Sequence, residues 1–505
     1  MPPSFRLYNT RTRQMEDFEP LEQGKVGLYV CGMTVYDDIH VGHARAMVTF
    51  DMVSRYLRYR GWDVTFVRNF TDIDDKIITR AEERGEDPLA LAERYIQRFH
   101  EDVAALGLLV PDREPRVTTT IDEIVAIIAR LVDRGHAYPA DGSVWFSVAT
   151  FERYGALSGQ NVDEMRSAET MSGKRAPQDF ALWKAAKEGE PSWPSPWGPG
   201  RPGWHIECSG MVWATLGDRI DIHGGGLDLV FPHHENEIAQ SECALGVHPW
   251  SRYWMHNGLL TSSGGQKMGK RLGNVFNVRE ALTLFPAEAM RLYYLQVHYR
   301  SPLPWSLEAL PSALALLARL YEAREAAEAM GGDEPVDQVV SGLGKDAKRV
   351  AELADAFEGR FHEAMDDDFN TAKALGVALE LARAVNRLSN HKKARRRGGP
   401  VARKALSAFR VLTDALGLLA QTSEAFQAEV TDKRLPTLGL TRERVQARID
   451  ERIAARKAKD WARADGIRDE LEAAGIRVMD RGSDATEWRI RFREEEAEEP
   501  EAAVG

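Results

Sequence analysis

Two histidines separated by a valine and a glycine lie where a strand-like run gives way to a helical pattern. The run KVGLYVCGMTVY from Lys25 is apolar and β-branched, whereas ARAMVTFDMVSRYLRYRG has apolar residues at helical spacing. His40 and His43 therefore fall at a helix N-terminus, where free backbone N–H groups and the helix dipole favour phosphate. Gly42 lets a ligand approach the backbone, and both imidazoles can donate hydrogen bonds to triphosphate oxygens as charge grows in a transition state. The alternative is a pair of histidines that only cap the helix.

A lysine-rich loop far downstream can serve the same ligand. Lys267 and Lys270 lie in the run KMGKR, which follows the Gly- and Ser-rich run TSSGGQ. Such a loop can close over a nucleotide, and lysine supplies a mobile charge that follows the negative charge on departing pyrophosphate. A solvated basic loop is the alternative for KMGKR alone. The two motifs together, one at each end of a single domain, predict a site for a nucleoside triphosphate.

Thiol, imidazole and carboxylate groups that suit a metal ion occur in three separate places. Cys31 ends the first predicted strand, and Cys208 follows a turn rich in Gly and Pro. His233 and Glu237 lie one turn apart on a predicted helix, facing the same way. Two thiolates, one imidazole and one carboxylate suit Zn²⁺. Spacing alone leaves His234 open in place of His233, and the competing interpretation is two buried free thiols beside a capped helix.

The composition describes a chain that folds without covalent cross-links. Its 505 residues, 43% of them hydrophobic, suffice for about three domains. The third of its three cysteines, Cys243, has no candidate ligands near it and is interpreted as a buried free thiol. Disulfides are not expected, which fits a reducing cytoplasm. No run approaches the roughly 18 apolar residues that span a bilayer, so we expect no membrane contact.

The net charge of −11 argues at first against a polyanionic partner, because affinity for phosphates comes from Lys and Arg. However, the closing stretch 494–505 holds six glutamates and no basic residue. This tail is predicted to be disordered and solvated. Its charge therefore says little about the folded surface.

The candidate site residues need a sheet that holds them, and the sequence predicts one. A second strand is expected at 63–70 and a helix within 83–106, so strands and helices alternate as in a parallel sheet. The sheet is expected to resume near 219–231 and again near 253–260. Residues from about 155 to 203 are dense in Pro, Gly and Trp and are predicted to form an irregular insertion without helix or strand.

The overall prediction is an α/β fold in several parts. A Rossmann-type parallel-sheet catalytic domain is expected over residues 1–305, with an insertion at about 110–205. Long segments rich in Ala, Leu, Arg and Glu then predict an α-helical bundle over residues 306–425. A small C-terminal α-rich domain follows at 426–492, and residues 493–505 form the acidic disordered tail.

These motifs resemble one known family, the cysteinyl-tRNA synthetases. The runs that carry the resemblance are YVCGMTVYDDIHVGHAR (29–45), NFTDIDDKI (69–77), DFALWK (179–184), GRPGWHIECS (200–209), DIHGGGLDLVFPHHENEIAQSE (221–242), KMGKRLGN (267–274) and AMDDDFNTAKAL (364–375). With a weaker match at KDWARADGIRDELEAAGI (459–476), the resemblance covers nearly the whole chain.

The resemblance implies a class I synthetase of the cytoplasm. It would use ATP, with Mg²⁺, to activate L-cysteine and would transfer the cysteine to tRNA(Cys). The implied ligands of one Zn²⁺ per chain are Cys31, Cys208, His233 and Glu237, which settles His233 over His234. The zinc would bind the substrate thiolate directly, so that serine is rejected without an editing domain. A monomer is expected, and residues 426–492 would bind the anticodon.

The same resemblance implies roles for individual residues. The catalytic residues would be His40, His43, Lys267 and Lys270. ATP would be bound by His40, Gly42, His43, Asp228 and Lys270, with Asp228 on the ribose. The amino-acid site would be formed by Thr71, Trp204 and His223. For Trp204 the alternative is a core aromatic beside a loop.

The basic loop departs from the family pattern KMSKS. Gly269 and Arg271 stand where the family has serines, whereas both lysines are kept. Loss of a hydroxyl that contacts phosphate or holds the loop closed is expected to affect loop closure and rate. Arg271 is a candidate phosphate ligand in place of the serine.

For tRNA, the helix beginning at Thr441 has arginines at four-residue intervals beside an apolar stripe. These arginines are Arg444, Arg448, Arg452 and Arg456. They form a basic ridge that suits the anticodon stem, with a solvated face as the alternative because acidic neighbours nearly balance it. Trp461 and Trp488 can stack on unpaired bases, although core packing is favoured for both.

Two rival functions remain open on sequence. A ligase that joins activated cysteine to a small amine would keep every catalytic motif, but it would not need the 200 residues from about 306 to 505. A catalytically inactive, zinc-containing RNA-binding protein would not need His40, His43 or both loop lysines. The retained motifs therefore favour the tRNA-charging enzyme.

Overall fold

The structure is a computed structural model that describes residues 5–160, 173–261, 276–480 and 486–492. The loop that contains Lys267, Gly269, Lys270 and Arg271 lies outside the described residues. The roles predicted for these four residues therefore stay predictions.

The described residues form fourteen strands and seventeen α-helices. The strands are β1 (Arg6–Asn9), β2 (Gln14–Asp17), β3 (Lys25–Thr34), β4 (Asp63–Thr71), β5 (Ala137–Ala140), β6 (Ser143–Phe146), β7 (Phe180–Ala185), β8 (Gly200–Pro202), β9 (Ile220–Gly226), β10 (Ser251–Asn257), β11 (Leu260–Thr261), β12 (Leu303–Pro304), β13 (Ile476–Asp480) and β14 (Thr486–Ile490). The helices are α1 (Val41–Tyr59), α2 (Asp75–Arg84), α3 (Pro88–Ala105), α4 (Ile121–Asp133), α5 (Trp204–Leu216), α6 (Glu235–Leu245), α7 (Val278–Leu284), α8 (Ala287–Leu295), α9 (Leu310–Glu328), α10 (Val336–Leu343), α11 (Lys345–Met365), α12 (Thr371–Ser389), α13 (Ala394–Arg397), α14 (Gly399–Leu416), α15 (Ser423–Arg434), α16 (Arg442–Lys457) and α17 (Trp461–Ala473).

The predicted parallel sheet is confirmed. Its four strands are all parallel and lie in the order β10, β9, β3, β4. The strands are apolar and largely buried, as expected when helices cover a parallel sheet. Because parallel strands end at the same edge, residues at their carboxyl ends are brought together.

One of the predicted helices proved to be part of a pair. The helix expected within 83–106 is α3, but α2 precedes it. Gly85, with a φ of 64°, ends α2, and the Asp87 side chain accepts a hydrogen bond from Ala90 N to begin α3. A left-handed glycine followed by a capped start separates the two helices.

The prediction that residues 155–203 lack regular structure is wrong. Strands β7 and β8 lie within that segment and complete an antiparallel sheet in the order β5, β6, β7, β8. Pro202 is tolerated because β8 has only three residues and lies at the edge of this sheet. Trp183 and Trp145 are buried in it, so the aromatic residues are core residues.

The helical bundle and the C-terminal piece follow the catalytic sheet. Helices α9, α11, α12 and α14 pack on one another, and α14 also packs on α1. The buried Arg291 on α8 donates a 2.6 Å hydrogen bond to Asp51 on α1, so this bond joins the two helices. Helices α16 and α17 pack together with the β13–β14 hairpin, which adds strands to the predicted α-rich domain.

Among the helices in the described ranges, none combines the length and the apolar content that crossing a bilayer requires.

Candidate active site and metal centre

Cys31 is held at an irregularity of β3. The register between β3 and β4 shifts between Val30 and Met33, which is the geometry of a β-bulge that redirects a side chain. Gly32 N donates to the Asn69 side chain at 2.8 Å, and a Cβ at Gly32 would lie 1.7 Å from the Asn69 carbonyl oxygen. Only glycine fits there. The strand also extends past Cys31 to Thr34, so Cys31 lies before the strand end rather than at it.

Cys208 lies on α5, which starts directly after the antiparallel sheet. Gly203 precedes the helix, and a Cβ there would lie 2.0 Å from the Ala181 carbonyl oxygen. Cys208 is buried, and its Sγ lies 3.7 Å from that of Cys31. Trp204, one turn earlier, is about a third exposed (36%) and stacks on the His233 ring at 4.4 Å, so the core-aromatic alternative does not hold.

His233 and Glu237 complete this group. They are one turn apart at the start of α6, with His233 Nε2 2.9 Å from Glu237 Oε1. His233 Nε2 also lies 3.5 Å from Cys208 Sγ, and Glu237 Oε1 lies 3.5 Å from Cys31 Sγ. The donor atoms of all four residues lie within 4.8 Å of one another. The structure therefore brings together the four residues predicted to bind a metal.

The spacing of these donors fits a tetrahedral zinc ion. Zn–S bonds of ~2.3 Å at the tetrahedral angle place two sulfurs ~3.8 Å apart, and a sulfur and a nitrogen or oxygen ~3.6 Å apart. The sulfur–sulfur distance is 3.7 Å, and the sulfur–nitrogen and sulfur–oxygen distances are both 3.5 Å. The 2.9 Å between His233 Nε2 and Glu237 Oε1 is shorter than the ~3.3 Å that two such zinc ligands would show, so these two side chains would separate by ~0.4 Å around an ion.

A second, overlapping group contains Cys31, His223, His234 and Glu237. In it, His223 Nε2 lies 2.8 Å from Glu237 Oε2, the carboxylate oxygen that the first group leaves free. His234 Nδ1 lies 2.7 Å from His256 Nε2. This pattern is typical of outer partners that orient metal ligands. Only the first group uses both thiols, and thiolates are soft ligands that suit zinc.

The electrostatics of the first group favour a cation. Burial opposes ionisation of Glu237, but the His223 and His233 rings lower its pKa to about 2. Burial likewise opposes a charge on His233, yet Glu237 and Cys208 raise its pKa to about 10. The hydrogen bond with Cys31 lowers the pKa of Cys208 to about 6. Burial, together with Cys208 and Glu237, raises the pKa of Cys31 well above its usual range. The cluster thus holds protons on Cys31 and His233 that a metal ion would displace.

Replacing each of the adjacent histidines by alanine distinguishes the two groups. His233→Ala is expected to remove stoichiometric metal, because it deletes a donor of the first group. His234→Ala is expected to retain one metal per chain with an affinity lowered by about 10–100-fold, as for an outer partner. Metal content after desalting, measured by elemental mass spectrometry, checks this. The reverse pattern would assign the ion to the second group.

Residues predicted to contact the amino acid lie against this cluster. Thr71, buried at the end of β4, donates a 3.0 Å hydrogen bond to Glu207 on α5. Burial raises the pKa of Glu207 well above its usual range. His205 Nδ1 lies 3.0 Å from His233 Nδ1. The sequence motifs did not single out Glu207 and His205, although their place beside Cys208 in GWHIEC was the available signal.

His40 and His43 form a reciprocal cap at the start of α1. The His40 Nδ1 atom accepts from His43 N at 3.2 Å, and His43 Nδ1 accepts from His40 N at 3.3 Å. The two rings stack at 3.4 Å. The capping alternative is thus part of the structure, and it fixes both rings where the helix dipole favours phosphate. Asp228 follows β9 in a short 3-10 turn and is exposed.

The arginine ridge on α16 is mostly neutralised. The side chain of Arg448 pairs with Glu451 and Glu470. Arg452 is buried, and both it and Arg456 bond Asp480 at 2.6 Å. Carboxylates therefore pair with three of the four arginines, as the alternative of acidic neighbours predicted, and Arg444 alone of the four is exposed. Binding of tRNA by this ridge stays a prediction.

The two C-terminal tryptophans differ. The prediction that Trp461 packs in the core is wrong, because this side chain is 58% exposed at the first turn of α17. Trp488 is half-buried against the hydrophobic core, and its Nε1 lies 3.3 Å from Gln446 Oε1. Cys243 is a buried free thiol outside both metal groups, and burial raises its pKa to about 12.

Three family descriptions match successive parts of the chain. Residues 17–315 match "tRNA synthetases class I (C) catalytic domain". Residues 360–421 match the DALR domain, and residues 441–489 match "Cysteinyl-tRNA ligase anticodon binding domain". The methionyl-tRNA synthetase of Mycobacterium tuberculosis, solved with methionyl-adenylate, has the same fold, with a TM-score of 0.58 at 16% identity over 83% of this chain and 94% of that one. The fold and the site thus define a class I aminoacyl-tRNA synthetase.

Full-length relatives are more specific. The chain is 52% identical to the cysteine--tRNA ligase of Alkalilimnicola ehrlichii over 96% of this chain and 99% of that protein. It is 50% identical to the cysteine--tRNA ligase of Syntrophotalea carbinolica over 97% of this chain and all of that protein. The chain belongs to the cysteine--tRNA ligase family.

Proposed function

We propose that this protein activates L-cysteine with ATP to form cysteinyl-adenylate and pyrophosphate, and then transfers the cysteine to the 3′ end of tRNA(Cys). The observation that carries the proposal is the shared edge of the parallel sheet. Cys31 and Thr71 lie near the carboxyl ends of β3 and β4, Asp228 directly follows β9, and His256 lies near the end of β10. This is the edge where open α/β sheets bind ligands, which supports placing the proposed thiol and nucleotide contacts there.

The metal in this proposal is Zn²⁺, held by Cys31, Cys208, His233 and Glu237. When bound, it supplies a soft Lewis acid that takes the thiolate of cysteine in preference to the hydroxyl of serine. His223 orients Glu237 through the 2.8 Å contact to its second oxygen. Trp204, stacked on His233, covers the cluster from the side of α5.

The chain's own groups would act on ATP as follows. His40 and His43, with Gly42 between them, would donate to triphosphate oxygens at the start of α1, and Asp228 would bind the ribose. Lys267 and Lys270 would neutralise charge on the leaving pyrophosphate together with Mg²⁺. Residues 1–305 would perform activation, with the insertion at about 110–205, and residues 426–492 would bind the anticodon. We expect a cytoplasmic monomer.

Two assays in sequence test this function against its rivals. We expect cysteine-dependent exchange of pyrophosphate into ATP, followed by charging of a bulk tRNA preparation with labelled cysteine. Exchange without charging would indicate a ligase for a small amine acceptor. Absence of both would indicate an inactive RNA-binding protein. Serine in place of cysteine is the matched control and is expected to support neither step at equal concentration.

A further inference from the structure

The helical bundle carries a compact basic turn that the proposed site does not use. The run HKKARRR covers residues 391–397, includes α13 and joins α12 to α14. Four of its side chains, Lys392, Lys393, Arg395 and Arg396, are exposed. Within the ranges that the structure describes, these four side chains have no hydrogen-bonding or ion-pair partner. We call these four side chains the basic turn.

The other residues of this run hold it rigidly on the bundle. His391 Nε2 lies 2.6 Å from Asp346 Oδ2 on α11, and Arg397 Nε donates to Glu334 Oε1 at 2.7 Å. Ala394 is fully buried. The backbone is bonded to the end of α9, with Gly331 N donating to the Arg395 carbonyl at 2.9 Å. The four exposed cations are therefore presented from a fixed backbone, which lowers the entropy lost when they bind a partner.

Nearby carboxylates do not neutralise the basic turn. Asp346 is paired with His391 and Glu334 with Arg397. Asp333 follows Gly332, which packs on the Arg396 backbone, but its carboxylate pairs with Arg403 at 3.3 Å and with none of the four side chains. The chain has a net charge of −11, yet the basic turn places four cations without a partner among the described residues within five residues. Such a surface is the electrostatic footprint of a phosphate-rich partner.

A groove between α11 and α12 extends this positive surface. It is lined by Arg349, Arg383 and Arg387 together with Asp346 and Glu380. Asp346 both lines the groove and bonds His391, so the groove begins beside the basic turn. Three arginines against two carboxylates line the groove, which gives it a formal excess of one positive charge, and both Glu380 and Arg383 are engaged with partners.

The position of the basic turn fits a long polyanion. The C-terminal hairpin docks on α9 through Arg489, whose guanidinium lies 2.6 Å from Glu325. Gly331, whose backbone N–H donates to the Arg395 carbonyl in the basic turn, is only six residues after Glu325. The bundle contacts α1 through α14 and the C-terminal hairpin through α9, so it adjoins both parts of the chain that the proposed function assigns to tRNA. The α16 ridge has few free charges to hold such a polyanion, since Asp480 and Glu470 pair with its arginines.

We propose that the basic turn and the adjoining groove bind the phosphate backbone of tRNA, between its acceptor end and its anticodon. This proposal rests on the proposed function, because it assumes that tRNA is the acceptor. The contacts are to phosphates and carry no sequence information, so they set affinity and orientation rather than the choice of tRNA.

The test replaces Lys392, Lys393, Arg395 and Arg396 together by alanine in the full chain. We expect the KM for tRNA(Cys) in charging to rise at least ~10-fold at ~50 mM salt. We also expect the slope of log KM against log salt concentration to fall by about 0.7–0.9 for each phosphate that the variant no longer neutralises. Cysteine-dependent pyrophosphate exchange, which needs no tRNA, is expected to keep the parental kcat and KM. Arg410→Ala, an exposed arginine farther along α14, is the control and is expected to leave the KM for tRNA unchanged.

A second measurement uses the parental protein and does not depend on the variant folding. Bound tRNA(Cys) is expected to slow acetylation of Lys392 and Lys393 by a small acylating reagent, read by peptide mass spectrometry. Undiminished acetylation, or an unchanged KM and salt dependence in the variant, overturns the proposal. If the parental protein fails to exchange pyrophosphate or to charge tRNA, the proposed function fails instead, and the two failures are thereby distinguished.

Discussion

Replacing Cys208 by serine is expected to remove stoichiometric metal and to lower cysteine-dependent pyrophosphate exchange by more than ~100-fold. The magnitude follows because loss of an outer partner alone costs about 10–100-fold in metal affinity or activity, and Cys208 is proposed as a direct ligand. Serine has nearly the same size, so the packing around α5 is preserved, but its oxygen is a poor ligand for zinc in this position.

The matched control is Cys243→Ser. Cys243 is also a buried thiol on a helix of the same domain, but it lies outside both candidate metal groups. This variant is expected to keep one metal per chain and the parental exchange rate. Metal content and exchange are measured on the same preparations. A metal-free Cys208→Ser protein with undiminished exchange would separate cysteine recognition from the metal and contradict the proposed selection of the thiol.

The first half of the parallel sheet was predictable because β3 is an apolar run and β4 is largely apolar, whereas β9 and β10 carry polar residues and glycines. Strands β3 and β4 and the intervening helix α1 follow one another with clear changes of period, from strand to helix and back. The antiparallel sheet of the insertion was not predictable in the same way. Strand β8 has three residues and ends in Pro202, so its local sequence resembles a loop and only pairing with β7 makes it a strand.

The candidate metal group was predictable from chemistry rather than from local structure. Cysteines are few in this chain, so Cys31 and Cys208 stood out. Helical spacing offered Glu237 with either His233 or His234, and only the family resemblance favoured His233. The surrounding histidines were harder to assign. His256 lies on β10 and contacts His234 only through the order of strands in the sheet, which sequence spacing does not reveal.

The surface predicted to bind tRNA was less predictable from sequence than the metal group. Periodicity placed four arginines on one face of α16, and that helix is present. Periodicity does not reveal that Asp480, on β13, lies within 2.6 Å of both Arg452 and Arg456. Four exposed cations without a partner among the described residues instead lie at 392–396, where no periodic pattern marks them. Long-range ion pairing therefore decides which basic residues remain available to a polyanion.

The His40→Asn variant separates catalysis from capping at the start of α1. Asparagine is among the best N-cap residues, so it is expected to keep the hydrogen bond to His43 N and the stability of the helix. It lacks the imidazole donor proposed for the triphosphate. We expect kcat for pyrophosphate exchange to fall by about 10²–10³-fold, the usual cost of losing one such donor, with an unchanged thermal unfolding midpoint.

Asp87→Asn is the matched control, because Asp87 caps α3 through Ala90 N and lies outside the proposed site. It is expected to preserve both stability and exchange. If His40 only caps the helix, His40→Asn will exchange pyrophosphate at the parental rate, whereas His40→Ala will lose about 1 kcal/mol of stability with the same activity. Exchange kinetics and thermal unfolding of the two His40 variants thus show whether the imidazole acts on phosphate or only caps the helix. Asparagine can replace the imidazole as a cap, so a lower exchange rate in His40→Asn can only come from the loss of its contact with phosphate.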